Sequence, residues 1–274
     1  MYATIATEPG SDAPNEDWAG CLPDALVVAD GVTLRPGIES GCIHGTPWYV
    51  RQLGARLLRR TIDGTPLMKS LADSIAEVAV AHGGWCDLTT IGAPSAAVAA
   101  LRVAGGDLEW LVLADVTVVL DTDAGLQVIS DNRVSVSVAG LDARTPELAG
   151  RIRDAREEYR NRPGGYWVTT ADPDTARHAL TGSVPLAMVR QVLVVTDGAA
   201  RLVDVFGSTW RHALSDVPSD VPSDVPQAMI RETRRFEAKD PECARWPRMK
   251  PADDATAVLW VPDSAGAARG GHAV

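Results

Sequence analysis

Leu26-Val27-Val28-Ala29-Asp30-Gly31 decides how this chain is read. A short unbroken apolar run that ends in a turn residue reads as a strand buried on both faces. A carboxylate at the end of such a strand sits at the rim of a core, where its charge has to be paired. Gly31 has no side chain, so its carbonyl can approach an ion or ligand closely. The phrase recurs as Val192-Leu193-Val194-Val195-Thr196-Asp197-Gly198 and, shortened, as Leu111-Val112-Leu113-Ala114-Asp115. Near the C-terminus the order reverses, with Asp253-Asp254 just before the apolar run Ala255 to Val261. One Asp-Gly is ordinarily a turn. Carboxylates on several apolar strand ends point instead to a site for a hard cation.

Working outward, Tyr2 to Thr7 reads as a first strand and Trp18-Ala19-Gly20-Cys21 as a second, one hairpin before Asp30. Asn15-Glu16-Asp17 opens that second strand, which places two further acids beside Asp30. Apolar residues at helical spacing predict a helix from about Gly41 to Arg60, and Thr65-Pro66 opens another, with Thr as N-cap and Pro first. The period then changes. Ser95 to Val103, Leu108 to Leu113, Val116 to Leu120 and Leu126 to Ile129 are short apolar runs separated by turns, an antiparallel meander. Residues 145–160 read as a charged helix, Tyr166-Trp167-Val168 as a brief strand, and 172–181 as a helix or turn before the Asp197 strand. Ser215-Asp216-Val217-Pro218 is written three times through Pro226, and proline at every fourth position makes this an exposed, extended loop. A helix from Gln227 to Ala238 and a final strand, Ala255 to Val261, close a domain of residues 1–262. The Gly- and Ala-rich segment 263–274 is expected to be a disordered tail.

Composition narrows the function. A chain of 274 residues, 46% hydrophobic and 23% charged, is that of a soluble globular protein able to bury a large core. A formal net charge of -10 argues against a nucleic-acid backbone as partner. Cys21, Cys42, Cys86 and Cys243 have no paired spacing, so neither a zinc site nor a disulfide framework is expected from them, only reduced thiols. No run of 18 apolar residues and no basic-then-apolar leader is present, so a cytoplasmic protein without a membrane partner is expected.

Taken in order, Asn15-Glu16-Asp17, Val28-Ala29-Asp30-Gly31, Ala93-Pro94-Ser95-Ala96, Ala114-Asp115, Val195-Thr196-Asp197-Gly198 and Asp253-Asp254-Ala255-Thr256 resemble the metal-dependent protein phosphatases of type 2C across roughly residues 2–262. The resemblance implies an α+β fold, a four-layer α-β-β-α sandwich of two mainly antiparallel sheets flanked by helices. It implies a phosphatase that hydrolyses Ser/Thr phosphate monoesters, or a small phosphate ester, with a metal-bridging water as nucleophile. In that family two Mn²⁺ or Mg²⁺ ions are bridged by an aspartate that matches Asp30, and the next carbonyl, here Gly31, is a ligand. Asp197 and Asp253 match the residues completing the second ion. Glu16 and Asp17 match those holding the ions' waters, and Asp115 matches the ligand of a third, weaker ion. The chemistry agrees: two divalent ions about 3.5–4 Å apart activate water and clamp phosphoryl oxygens.

The chain also departs from the family. Asp12 stands where the family has a phosphate-gripping arginine, and Val32-Thr33-Leu34-Arg35-Pro36 replaces its Gly/His-rich segment. Val116 follows Asp115 where a serine is usual. Arg35, in a loop turned by Pro36-Gly37, is the candidate substitute for the lost phosphate grip, and His44 the candidate proton donor to the leaving oxygen. The expected partner is thus a phosphoprotein or small phosphorylated substrate. The rival readings are a phosphatase-like regulatory module and a metalloenzyme acting on a specialised metabolite.

Overall fold

The computed structural model describes residues 2–34, 37–137, 146–215 and 225–262. Arg35, most of the Ser-Asp-Val-Pro repeat and the segment 263–274 therefore lie outside the described residues. The strands are β1 (Tyr2–Glu8), β2 (Asp17–Leu22), β3 (Ala25–Gly31), β4 (Ala96–Ala104), β5 (Asp107–Leu113), β6 (Thr117–Thr122), β7 (Gly125–Ile129), β8 (Leu180–Pro185), β9 (Val189–Val195) and β10 (Ala255–Val261). They form two five-stranded sheets, β1-β10-β9-β6-β7 and β2-β3-β4-β5-β8. Every pairing in both is antiparallel.

The unbroken apolar runs follow from burial on both faces of each sheet. In β3, Leu26 and Val28 point into the space between the sheets, whereas Val27 and Ala29 point toward helices. In β9, Val192 and Val194 face the opposite sheet, and Leu193 and Val195 face the other helical layer. Three separate cores result: one between the sheets and one under each helical layer. At about 1.5–3 kcal/mol for each large side chain fully buried, such stacked cores hold the layers in one arrangement.

The first helical layer is α1 (Thr46–Arg60) and α2 (Leu67–Ala81), which bury Tyr49, Val50, Leu53 and Leu57, and Leu71, Ile75 and Val78, against the β3–β4 side. Helix α1 starts later than its periodicity suggests, because Gly41 and Gly45 adopt φ of 66° and 77°, outside the helical region, and the helix begins at Thr46-Pro47. The N-cap of α2 is Pro66 without a side-chain cap, rather than Thr65. The second layer comprises α5 (Asp197–Asp204), α6 (Trp210–Ser215) and α7 (Val225–Ala238). Short α3 (Arg133–Ser137) and α4 (Pro146–Tyr159) lie between β7 and β8 in the chain.

Two further expectations change. The central strands are not one meander: β4 and β5 belong to one sheet and β6 and β7 to the other. The chain changes sheets at Ala114-Asp115-Val116, where Ala114 takes a φ of 67° that L-residues rarely adopt. Tyr166 to Val168 is not a strand, and only single bridges join Arg160 to Tyr166 and Ala96 to Thr169.

Candidate metal centre

Antiparallel register brings the strand-end acids to one end of the sandwich. Asp17 opens β2 directly opposite Asp30, which ends β3. Opposed residues share a face, and Asp30 has the same parity as Leu26 and Val28, so both carboxylates face the gap between the sheets. In the other sheet, Val195 at the end of β9 pairs with Ala257 near the start of β10, so Asp197 and Asp253 meet at the same rim. Asp115 arrives there on the strained β5–β6 crossing.

The acids feel one another. The Asp30 carboxyl is held well above the usual range by desolvation first, then by the charges of Asp17, Asp197, Asp115 and Asp253. Asp197 is pushed up to about 7, first by burial and next by the charges of Asp253 and Asp115. Asp17, only 7% exposed, is likewise raised to about 7, with burial the main cause. Asp115 and Glu16 are also raised, and burial again leads. A backbone link supports the cluster: the Asp197 amide donates to Asp30 Oδ2 at 3.3 Å.

The donor set fits a hard divalent cation, because its side-chain members are all carboxylates and their mutual repulsion is relieved by positive charge. Thr196 Oγ1 donates to Asp17 Oδ2 at 2.9 Å, while Asp17 Oδ1 is buried with no hydrogen-bond partner. Gly31 is held where a Cβ would lie 2.5 Å from Thr46 Cγ2 and 2.6 Å from the Glu16 carbonyl, so no larger residue fits there. At Gly198 a Cβ would collide with the Asp254 carbonyl, which lets α5 start tightly against the Asp253-Asp254 turn.

Asp253 and Asp254 diverge. Asp254 accepts the amides of Gly10 at 2.8 Å and Glu16 at 2.6 Å, and so fastens the loop before β2. Asp253 turns to the acidic cluster and is held by Arg201 at 2.8 Å and Lys250 at 2.6 Å. Burial works against the Lys250 ammonium, but the charges of Asp253, Asp197 and Asp30 outweigh it and raise its pKa. Lys250 also donates to Thr33 Oγ1 at 2.9 Å, and Thr33 donates to Glu16 Oε2 at 2.6 Å, linking the two sheets across the rim.

One cation here was not legible in the sequence. The charge of Arg156, on α4, lowers the pKa values of Asp115 and Asp197, and its Nε is buried without a hydrogen-bond partner. Its only sequence signal was membership of a charged helix, which is ordinarily a solvated face. Asp12 is exposed. His44 lies among Cys42, Cys86 and Trp48, with its ring stacked on Trp48 at 4.2 Å.

No family model matches the chain, and no curated protein matches it by sequence. Solved structures do. The serine/threonine phosphatase PstP/Ppp of Mycobacterium tuberculosis aligns with a TM-score of 0.60 at 16% identity, over 95% of this chain and 98% of that one. The PstP catalytic domain in complex with two manganese ions aligns at 0.59 and 16% identity, over 96% and 98%. The serine/threonine phosphatase Stp1 of Staphylococcus aureus aligns at 0.55 and 13% identity, over 95% and 94%. Two antiparallel five-stranded sheets between helical layers, with acids from both gathered at one rim, give this chain the fold of the bacterial type 2C serine/threonine phosphatases.

Proposed function

We propose that the chain is a metal-dependent phosphatase that hydrolyses phosphate monoesters of serine or threonine in a protein, or a small phosphate ester. The observation that supports this most is the convergence of Asp17, Asp30, Asp115, Asp197 and Asp253, from separate elements, on one electrostatically coupled cluster that includes a buried, unpartnered carboxylate oxygen. Asp30, the Gly31 carbonyl, Asp197 and Asp253 would hold two Mn²⁺ or Mg²⁺ ions, Glu16 and Asp17 would orient their waters, and Asp115 would serve a third. When bound, such ions supply a nucleophile at neutral pH and neutralise phosphoryl charge. The protein's part is to fix the carboxylates on rigid strand ends and to receive the phosphate dianion with cations. Arg156 and Lys250 take that second role in this reading, in place of the arginine lost at Asp12, since the charge of Arg156 lowers the pKa values of Asp115 and Asp197 and Lys250 is held by Asp253.

A regulatory module is the second reading, because Arg201 and Lys250 already engage both oxygens of Asp253. Turnover of p-nitrophenyl phosphate separates the two. The enzyme reading expects Mn²⁺-dependent hydrolysis abolished by chelator and by Asp197→Asn. Metal binding without turnover of this or any phosphopeptide supports the regulatory module.

A further inference from the structure

Besides the acidic rim, the structure assembles ligands of a different chemistry. Cys42 and His44 lie in the segment between β3 and α1, and Cys86 follows a single 3₁₀ turn (Gly83–Trp85) after α2. Although 44 residues separate the cysteines, their sulfurs are 3.4 Å apart, and His44 Nδ1 lies 3.3 Å from Cys86 Sγ and 3.8 Å from Cys42 Sγ. This corrects the expectation of scattered, unrelated thiols, for sequence spacing says nothing about residues joined through the packing of α1 on α2.

These separations resemble the edges of a zinc tetrahedron. With Zn–S bonds of about 2.3 Å and Zn–N of about 2.0–2.1 Å, the edges are about 3.8 Å for S–S and about 3.6 Å for S–N. The backbone is arranged for a thiolate, since the His44 amide points at Cys42 Sγ at 3.4 Å. Ser40 Oγ accepts the Cys42 amide at 3.1 Å, Thr90 Oγ1 donates to the Ser40 carbonyl at 2.8 Å, and the Asp87 amide donates to the Gly41 carbonyl at 2.8 Å. The two segments that carry the ligands are thereby fixed to one another. His82, only 2% exposed, stands edge-on to His44 with ring centroids 5.4 Å apart. Its Nδ1 lies 2.8 Å from the Val78 carbonyl, which can only accept, so Nδ1 carries the proton. Nε2 is then a lone pair, and it is buried with no hydrogen-bond partner. A metal-bound histidine is ordinarily held this way, with one nitrogen donating to a carbonyl and the other free to ligate.

We propose that Cys42, His44 and Cys86, whose ligand atoms lie within 4.8 Å of one another, form a zinc site, and that the neighbouring His82 Nε2 moves in as the fourth ligand when the ion binds. The ion would cross-link the segment after Asp30-Gly31 to the α2–β4 connection. Soft sulfur ligands select zinc there, as the all-oxygen rim selects harder ions, so two kinds of metal are sorted within one chain.

Cobalt titration of the reduced protein tests this independently of the acidic centre, because a sulfur-to-cobalt charge-transfer band in the near ultraviolet reports thiolate ligation only. The expected result is a band that saturates at one equivalent, is displaced by zinc, persists in Asp30→Asn and is lost in Cys42→Ser and Cys86→Ser. His82→Ala is expected to weaken binding by about tenfold or more. Absence of the band from the folded wild-type protein overturns the site, as does a band that survives in both serine variants. Unchanged affinity in His82→Ala removes His82 from the ligand set.

Discussion

Asp253 and Asp254 are adjacent, yet they carry different loads. Asp254 satisfies two backbone amides, so Asp254→Ala leaves both without their acceptor and should cost about 1–3 kcal/mol for each that stays buried, seen as a lowered Tm. Asp253→Ala should instead reduce Mn²⁺ affinity. A stable Asp254→Ala protein that has lost Mn²⁺ binding would reverse these roles. Which of the two faces the cluster was readable only through resemblance, because strand alternation does not settle the direction of two acids just ahead of β10. Arg156 is the residue to test for phosphate recognition. If it grips the dianion, Arg156→Ala should lower kcat/KM by roughly ten- to hundredfold, the equivalent of about 1.5–3 kcal/mol for a charge-assisted hydrogen bond, chiefly through KM. Unchanged kinetics would confine Arg156 to tuning Asp115 and Asp197.

Elements were legible to the degree that burial wrote itself into their pattern. The strands β3, β4, β9 and β10 are covered on both faces and stand out as apolar runs. The strand β8 escaped notice because Leu180-Thr181-Gly182-Ser183-Val184-Pro185 is largely exposed at a sheet edge, and Gly182 is there to let the Trp110 ring lie across it. The same device seats a helix. Gly54, buried on α1, leaves room for the Trp18 ring of β2, which a Cβ at that position would strike. Gly54→Val should therefore push α1 off the β2–β3 hairpin and cost about 1–3 kcal/mol by overpacking. Thermal or denaturant unfolding checks this, and a variant as stable as wild type would show that the ring has space to move aside. From sequence alone Gly54 was an unremarkable glycine inside a helical pattern, because its reason lies on another element.

At the scale of the molecule, the sandwich brings together acids that repel each other, and its stability should depend on pH and metal accordingly. Asp17 and Asp197 titrate near 7 in the folded chain against about 3.9 when unfolded, so between those values the folded state holds protons that the unfolded state has released. Their stabilising protonation is fully present below about pH 4 and is lost as pH rises through about 7. The Tm of chelated protein should thus fall between pH 5 and pH 7.5, and added Mn²⁺ should raise it more at pH 7.5 than at pH 5; a metal-free Tm that climbs over this range would contradict the coupling. The family likeness was legible because the acid motifs recur in order along the chain, whereas the Cys42–Cys86 pairing and the approach of Arg156 arise only when distant segments pack. The central claim is that Asp30, Asp197 and Asp253 share one divalent-metal centre. Calorimetric titration of the metal-free wild-type and Asp30→Asn proteins with Mn²⁺ tests it most directly. The account predicts that the wild type binds at least two ions and that Asp30→Asn, still folded, loses most of that binding; equal Mn²⁺ binding by both proteins, or none by either, would contradict it.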